Sequence, residues 1–238
     1  NLQTLNLDQT QVSDLSPLSS LVNLQTLNLN QTQVSNLSPL SSLVNLQTLN
    51  LNQTKIVDIN PLSLLKNLRF LQLNYTLVTN FNPLLSLINL QSLNLNGAKI
   101  YDLKILSLLS SLHHLSISQT EIIDFEALSL LKDLESLHLG ETQINNITSI
   151  LDLENLKTLN LRQTKINDFG NIYKLKKLTW LSLSDTQIYD LTPISELSEL
   201  GRLELDGTQI LDIQKLSKLK KIEICLLYTS PSPRDRTR

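Results

Sequence analysis

The sequence is poor in cysteine, glycine and aromatic residues. Its one cysteine is Cys225, so the chain before it offers neither a disulfide framework nor a thiol nucleophile. The five glycines form no GxGxxG or Walker loop, no serine lies in a GxSxG elbow, and no pair of carboxylates lies in an evident cleft. No apolar run reaches transmembrane length. These absences argue against the common enzyme classes and against membrane insertion by this segment.

What the sequence has in abundance is a 22-residue period. A leucine at position 2 of the first copy returns in every later copy without insertion or deletion: Leu2, Leu24, Leu46, Leu68, Leu90, Leu112, Leu134, Leu156, Leu178 and Leu200, then Ile222. A fixed period of this length predicts a solenoid. We number the copies 1 to 10, from residues 1–22 to residues 199–220, and an eleventh copy then begins.

Seven positions are apolar in all ten copies, shown in copy 1 by Leu2, Leu5, Leu7, Val12, Leu15, Leu18 and Leu21. The alternation from Leu5 to Leu7 predicts a strand, and the later leucines, three residues apart, predict a helical turn. Ser16 and Pro17 supply a hydroxyl for capping and a proline for the first helical position. Each copy is therefore predicted to hold a strand, a loop and one turn of 3₁₀ or α-helix.

The pattern LxxLxLxxTxIxDLxPLxxLxx resembles the 22-residue class of leucine-rich repeats found in internalin-type bacterial proteins, and the resemblance covers residues 1–224. It implies an α/β fold: a right-handed solenoid with a curved parallel sheet on the concave face and short 3₁₀ or α turns on the convex face. It also implies a non-enzymatic protein-binding module without cofactor or metal. The compartment stays open, with the cell surface or secretion favoured over the cytoplasm.

In that family an asparagine usually links adjacent coils at the position held here by threonine. The threonines are Thr10, Thr32, Thr54, Thr76, Thr120, Thr142, Thr164, Thr186 and Thr208, with Ala98 as the exception. We expect a hydroxyl ladder between coils, with a missing rung and a weak point at Ala98. At position 14, aspartate and asparagine interchange, which predicts side-chain bonding to the backbone.

Residues 225–238 break the pattern. Their sequence, CLLYTSPSPRDRTR, resembles a translated sequencing-library adapter, and the alternative is a natural disordered terminus. We expect an array over residues 1–224 and a non-native or disordered tail over residues 225–238. Because Asn1 begins in mid-pattern, we also expect the array to be part of a longer protein. Without the tail, 17 basic and 21 acidic residues give a formal charge of −4, which argues against nucleic-acid binding.

The outward strand positions, 3, 4, 6, 8 and 9 of each copy, are predicted to line the concave face. Residues 1–54 contain no lysine, arginine or glutamate and suit a spacer, whereas copies 4 to 10 diverge in the manner of a binding surface. Trp180 and Arg202 share one position in adjacent copies, within reach of a cation–π contact. The candidate partner-binding residues are Arg69, Phe70, Tyr75, His113, His114, His138, Lys157, Arg162, Trp180, Arg202 and Glu204.

Several alternatives stay open. Exposed aromatic side chains on a sheet can simply pack against their neighbours. A zinc site of His114 and His138 with Glu135 or Glu141 is a weaker hypothesis, because no HxxxH or CxxC spacing supports it. The leading function is recognition of another protein by the concave face. The array could instead be the recognition arm of a larger multidomain enzyme, or the structural stalk of a surface adhesin.

Overall fold

A computed structural model of the chain describes residues 1–219 and 222–225. Each copy contributes one three-residue strand, and the strands pair in parallel, in chain order, into a single 11-stranded sheet. The strands are β1 Thr4–Asn6, β2 Thr26–Asn28, β3 Thr48–Asn50, β4 Phe70–Gln72, β5 Ser92–Asn94, β6 His114–Ser116, β7 Ser136–His138, β8 Thr158–Asn160, β9 Trp180–Ser182, β10 Arg202–Glu204 and β11 Glu223–Cys225. The predicted leucine-rich repeat solenoid is therefore confirmed.

The helical part of every copy is a short 3₁₀ segment, one of the two types predicted. These segments are Ser16–Leu18, Ser38–Ser42, Asn60–Leu64, Asn82–Ser86, Leu106–Leu108, Glu126–Leu130, Thr148–Ile150, Ile172–Lys174, Ile194–Glu196 and Gln214–Lys218. In the first four copies a proline lies at the start of the segment, where its missing N–H leaves no bond unmade.

Where the chain enters each 3₁₀ segment, the side chain at position 14 bonds to the backbone, and the serine at position 16 does not cap the turn as predicted. Oδ1 of Asp14 accepts the backbone N–H of Ser16 at 2.9 Å, and the same bond recurs in all ten copies. The N-cap residue is Leu15, so the serine already lies inside the turn, one residue too late to cap it. The backbone-bonding role expected of position 14 is confirmed, and the capping role of Ser16 is wrong.

The seven apolar positions form one continuous core that runs along the array. In copies 2 to 9 they are buried, whereas in copy 1 Leu5, Leu7 and Val12 are only partly buried because one side of that coil has no neighbouring coil. Ile213 in copy 10 departs from the pattern and is 42% exposed.

The threonine hydroxyls do not form the predicted ladder between coils. Each donates to the carbonyl three residues earlier in its own coil, as Thr120 Oγ1 does to Ile117 at 2.7 Å. The short hydroxyl is used within its own coil, and asparagine side chains make the bonds between coils instead. Asparagine amides at position 1 donate to the carbonyl 23 residues earlier, across to the adjacent turn of the solenoid, as from Asn67 to Val44 at 3.0 Å and from Asn89 to Lys66 at 2.9 Å.

The backbone at position 9 adopts the left-handed conformation in all ten copies. Its φ is +53° at Gln53, +54° at Tyr75 and +63° at Gly97. This turn brings the chain out of the strand and toward the 3₁₀ segment, and only Gly97 and Gly207 make it without a Cβ penalty.

The sequence spacing between paired residues of β10 and β11 is one residue shorter than the 22-residue period predicts. Arg202 pairs with Glu223 and Leu203 pairs with Ile224, a spacing of 21 residues. The 22-residue frame would place a cysteine opposite Leu203, and the shorter step places the larger apolar Ile224 there. Strand β11 includes Cys225, and the rest of the predicted tail lies outside the described residues.

Candidate partner-binding face

The concave face is built from side chains that the parallel register sets side by side. At position 4, β4 to β10 present the row Phe70, Ser92, His114, Ser136, Thr158, Trp180 and Arg202. Large and small side chains alternate in the first part of this row. Copies 1 to 3 present only threonine at this position, so the first large side chain of the row appears in copy 4.

Trp180 stacks on His138. Their ring centroids lie 5.9 Å apart with an interplanar angle of 30°. The two residues lie on β9 and β7, so the indole reaches across the intervening strand β8. Offset ring pairs of this kind stabilise one another beyond the area that they bury. The sequence predicts that both residues lie on this face, but it does not predict the contact between them.

Arg202 is the lateral neighbour of Trp180, as predicted, but its guanidinium binds a carboxylate. Nη2 of Arg202 lies 2.9 Å from Oε1 of Glu204, two residues along the same strand. A carboxylate within hydrogen-bond reach is a stronger partner for guanidinium than a ring face. The predicted cation–π contact between Trp180 and Arg202 is thus replaced by a ring stack and an ion pair.

Two more ion pairs cross between coils on this face. Lys157 Nζ lies 2.9 Å from Glu135 Oε2, and Arg162 Nη2 lies 3.1 Å from Asp185 Oδ2. The hydrogen bond from Lys157 is the main cause that lowers the pKa of the Glu135 carboxyl. All four side chains are at least a third exposed, so each pair contributes little to stability and can exchange partners.

The histidines differ in their surroundings. Burial is the main cause that lowers the pKa of His138, and the nearby charge of His114 adds to it. Nδ1 of His113 lies 2.8 Å from the carbonyl of Ser111, whereas His114 is exposed. Among the described residues, no group of three or more histidine, cysteine, aspartate or glutamate side chains could hold a metal ion.

The side chains of Phe70 and Tyr75 lie apart, although their closeness in sequence predicts a single patch with Arg69. Phe70 lies on β4 and is 43% exposed, with Arg69 beside it at the start of the strand. Tyr75 follows the strand at the left-handed position, where its ring covers Gly97 and its hydroxyl donates to Oε1 of Gln119. Tyr75 therefore bridges three coils along one rim and does not extend the Phe70 surface.

Two open cavities lie between copies 6 and 7, and the one of about 660 Å³ reaches the concave rim at Gln119 and Glu141. The other, of about 730 Å³, is an open groove at positions 11 to 20. Its walls include Ile123, Asp124, Phe125, Glu126 and Asn146. Asp152 also lines it, so the groove carries three carboxylates among polar and apolar side chains.

In the described part of the chain, no helix has the length and apolar character needed to cross a bilayer. A comparison with curated protein sequences finds no match. The family model for "Leucine Rich repeats (2 copies)" matches residues 1–42 and 22–64.

Solved structures give a wider match. An internalin, inlF of Listeria monocytogenes, is 29% identical with a TM-score of 0.77, and the match covers 94% of this chain and 73% of that one. A leucine-rich repeat protein of Leptospira interrogans is 28% identical with a TM-score of 0.74, over 94% of this chain and 72% of that one. TLR13 in its complex with ssRNA13 is 27% identical with a TM-score of 0.73, over 95% of this chain and 36% of that one.

Proposed function

Because the chain is a leucine-rich repeat protein of the internalin type, we propose that it is a non-enzymatic module that binds another protein through its concave face. The contacts come mainly from copies 4 to 10. Copies 1 to 3 act as a spacer.

One observation carries this proposal: the large side chains of the sheet's outer surface are confined to copies 4 to 10. Phe70, His114, Trp180 and Arg202 share one row, where the earlier copies present threonine. Aromatic and arginine side chains supply most of the energy of protein interfaces, because they bury much area and freeze few rotamers. A packed solenoid holds them in fixed positions, which reduces the ordering cost of binding.

The charged groups on this face favour recognition over catalysis. Lys157, Arg162 and Arg202 each lie within 3.1 Å of a carboxylate partner. Such pairs are partly exposed and can be exchanged for pairs with a partner, which gives specificity more than affinity. They present no unpaired nucleophile or base beside an enclosed cavity.

A protein ligand is favoured over a nucleic acid. TLR13 is solved with an RNA, but the present chain has a formal net charge of −2, and most cations of its concave face are already neutralised by carboxylates. A binder of nucleic acid needs free cations along the path of the backbone phosphates. The roles of an enzyme's recognition arm and of an adhesin stalk depend on sequence outside this chain.

The proposal is tested by selecting ligands from a phage-displayed library of random peptides and comparing two aromatic substitutions. Trp180→Thr installs on the concave face the residue that copies 1 to 3 carry there. Tyr189→Asn removes a side chain that is 78% exposed outside the concave positions, and asparagine is native at that position in copies 7 and 8.

We expect selected peptides to lose affinity about tenfold or more with Trp180→Thr, because truncating an aromatic hot spot costs about 2 kcal/mol or more and about 1.4 kcal/mol is tenfold. The same peptides should be unaffected by Tyr189→Asn. Peptides that respond to Tyr189→Asn and ignore Trp180→Thr would place binding on another surface and refute the proposal.

A further inference from the structure

We propose, on the basis of concave-face binding, that copies 4 to 6 receive an acidic segment of the partner that carries one large apolar side chain. The two halves of the concave face differ in charge. From copy 2 to copy 6, residues 23–132, no outward strand position holds aspartate or glutamate. From copy 7 onward these positions include Glu135, Glu141, Asp185, Glu204 and Asp206.

In copies 2 to 6, Arg69 is the one residue with a formal charge at the outward strand positions. Four lysine or arginine residues occupy outward strand positions, and three of them, Lys157, Arg162 and Arg202, lie beside carboxylates. In the part of the chain that the structure describes, no ion pair or side-chain hydrogen bond engages the fourth, Arg69, and it is exposed. An unpaired guanidinium on a stretch of sheet whose own outward positions hold no carboxylate favours a carboxylate ligand, which it binds through two parallel hydrogen bonds.

Phe70 and His114 define where an apolar side chain of the partner would lie. Both are exposed, and between them in the same row is the small Ser92 on β5. Two strand spacings separate Phe70 from His114, about 9–10 Å between their α-carbons. This gap admits one side chain against the phenyl ring, beside Arg69.

The neighbouring side chains do not cover the gap between Phe70 and His114. Tyr75, the other aromatic of copy 4, is turned away over Gly97 and held there by Gln119. The His138–Trp180 stack begins one coil farther on, at β7. Arg69, Phe70 and His114 are therefore available together, and their chemistry is complementary to a carboxylate next to an aliphatic or aromatic side chain.

The test uses the selected peptides and substitutions already present in other copies. Arg69→Gln and Phe70→Thr install the residues found at these positions in copies 1 to 3, so the fold is preserved. Lys55→Gln is the matched control, because it removes an exposed positive charge outside the concave positions and restores the glutamine of copies 1 and 2. Affinities are measured by titration calorimetry with synthetic peptides.

We expect the selected peptides to be rich in aspartate and glutamate around an apolar residue. Arg69→Gln should weaken them about tenfold or more, since a charge-assisted pair is lost. Phe70→Thr should weaken them by a similar factor, and Lys55→Gln by less than about twofold.

Other outcomes separate this inference from the function on which it rests. Peptides that are basic or neutral, ignore Arg69→Gln and lose affinity with Trp180→Thr would overturn the acidic-segment inference and leave concave-face binding intact. Peptides that ignore every concave substitution would overturn both. Tighter binding of single-stranded oligoadenylate than of the peptides, lost with Arg69→Gln, would reassign the Arg69 site to nucleic acid.

Discussion

The threonine hydroxyls inside the coils allow the energetics of one repeat position to be tested in both directions. Thr120 is 4% exposed, and its Oγ1 donates to the carbonyl of Ile117 at 2.7 Å. Ala98 holds the equivalent position one coil earlier and is 4% exposed. There the carbonyl of Leu95 accepts only the backbone N–H of Ala98, at 3.0 Å. Thr120→Val removes one hydroxyl bond, and Ala98→Thr adds one.

The expected size follows from burial and shape. Valine keeps the outline of threonine, so Thr120→Val leaves no cavity but strips a buried carbonyl of its donor. We expect a loss of about 1–2 kcal/mol in the free energy of unfolding. Ala98→Thr gains a bond of roughly 1 kcal/mol, and the backbone N–H bond already present limits the gain. The double variant should lie between Thr120→Val and the parent protein in its free energy of unfolding.

Urea denaturation followed by circular dichroism measures these changes through the transition midpoint, with the slope held constant as the check on cooperativity. Hydrogen exchange of the amides in copies 5 and 6 shows whether the effect is local, as expected for an array whose coils contact only their neighbours. An unchanged or lowered midpoint for Ala98→Thr, together with no loss for Thr120→Val, would show that these hydroxyl bonds add nothing to stability.

Two further predictions concern the backbone and the ring stack. Gln53→Gly should raise the free energy of unfolding by about 1 kcal/mol, because glycine removes the left-handed penalty; Gly97→Ala should lower it by more, because a methyl group there meets the Tyr75 ring as well. Urea denaturation checks this pair, because the two substitutions should change the free energy of unfolding in opposite directions. Burial, with the charge of His114, holds the pKa of His138 below its ordinary value, so the unfolded chain takes up its proton first. The stability that neutral, buried His138 contributes beside Trp180 is therefore complete above the ordinary pKa of histidine and declines as the pH falls through the lowered pKa. Emission of the sole tryptophan should change with a midpoint below pH 6.5 and lose that change in His138→Gln; a midpoint at or above 6.5 contradicts the assignment.

The sequence predicts the scaffold well because the period fixes which side chains point inward. The alternation from Leu5 to Leu7 is enough to define each strand and its register with the next coil. The same reasoning fails where the period ends, since the pairing of Leu203 with Ile224 depends on which residue fills the core better.

The details of the concave face depend on side-chain choices that spacing does not decide. Trp180 has Arg202 beside it and His138 two strands away, and the indole stacks on the more distant ring because the guanidinium binds Glu204. Tyr75 follows the same principle: its left-handed backbone sends the ring over Gly97 and away from β4. Position in the repeat predicted the face for these residues, but it did not predict their partners.

The most direct test of concave-face binding is hydroxyl-radical footprinting of the chain with and without a selected peptide. Phe70 and Trp180 report on the concave face, and the exposed Tyr173 and Leu108 report on the 3₁₀ side of the coils. We expect the bound peptide to reduce oxidation of Phe70 and Trp180 and to leave Tyr173 and Leu108 unchanged. Protection of Tyr173 or Leu108, with Phe70 and Trp180 oxidised as in the free chain, would contradict the account.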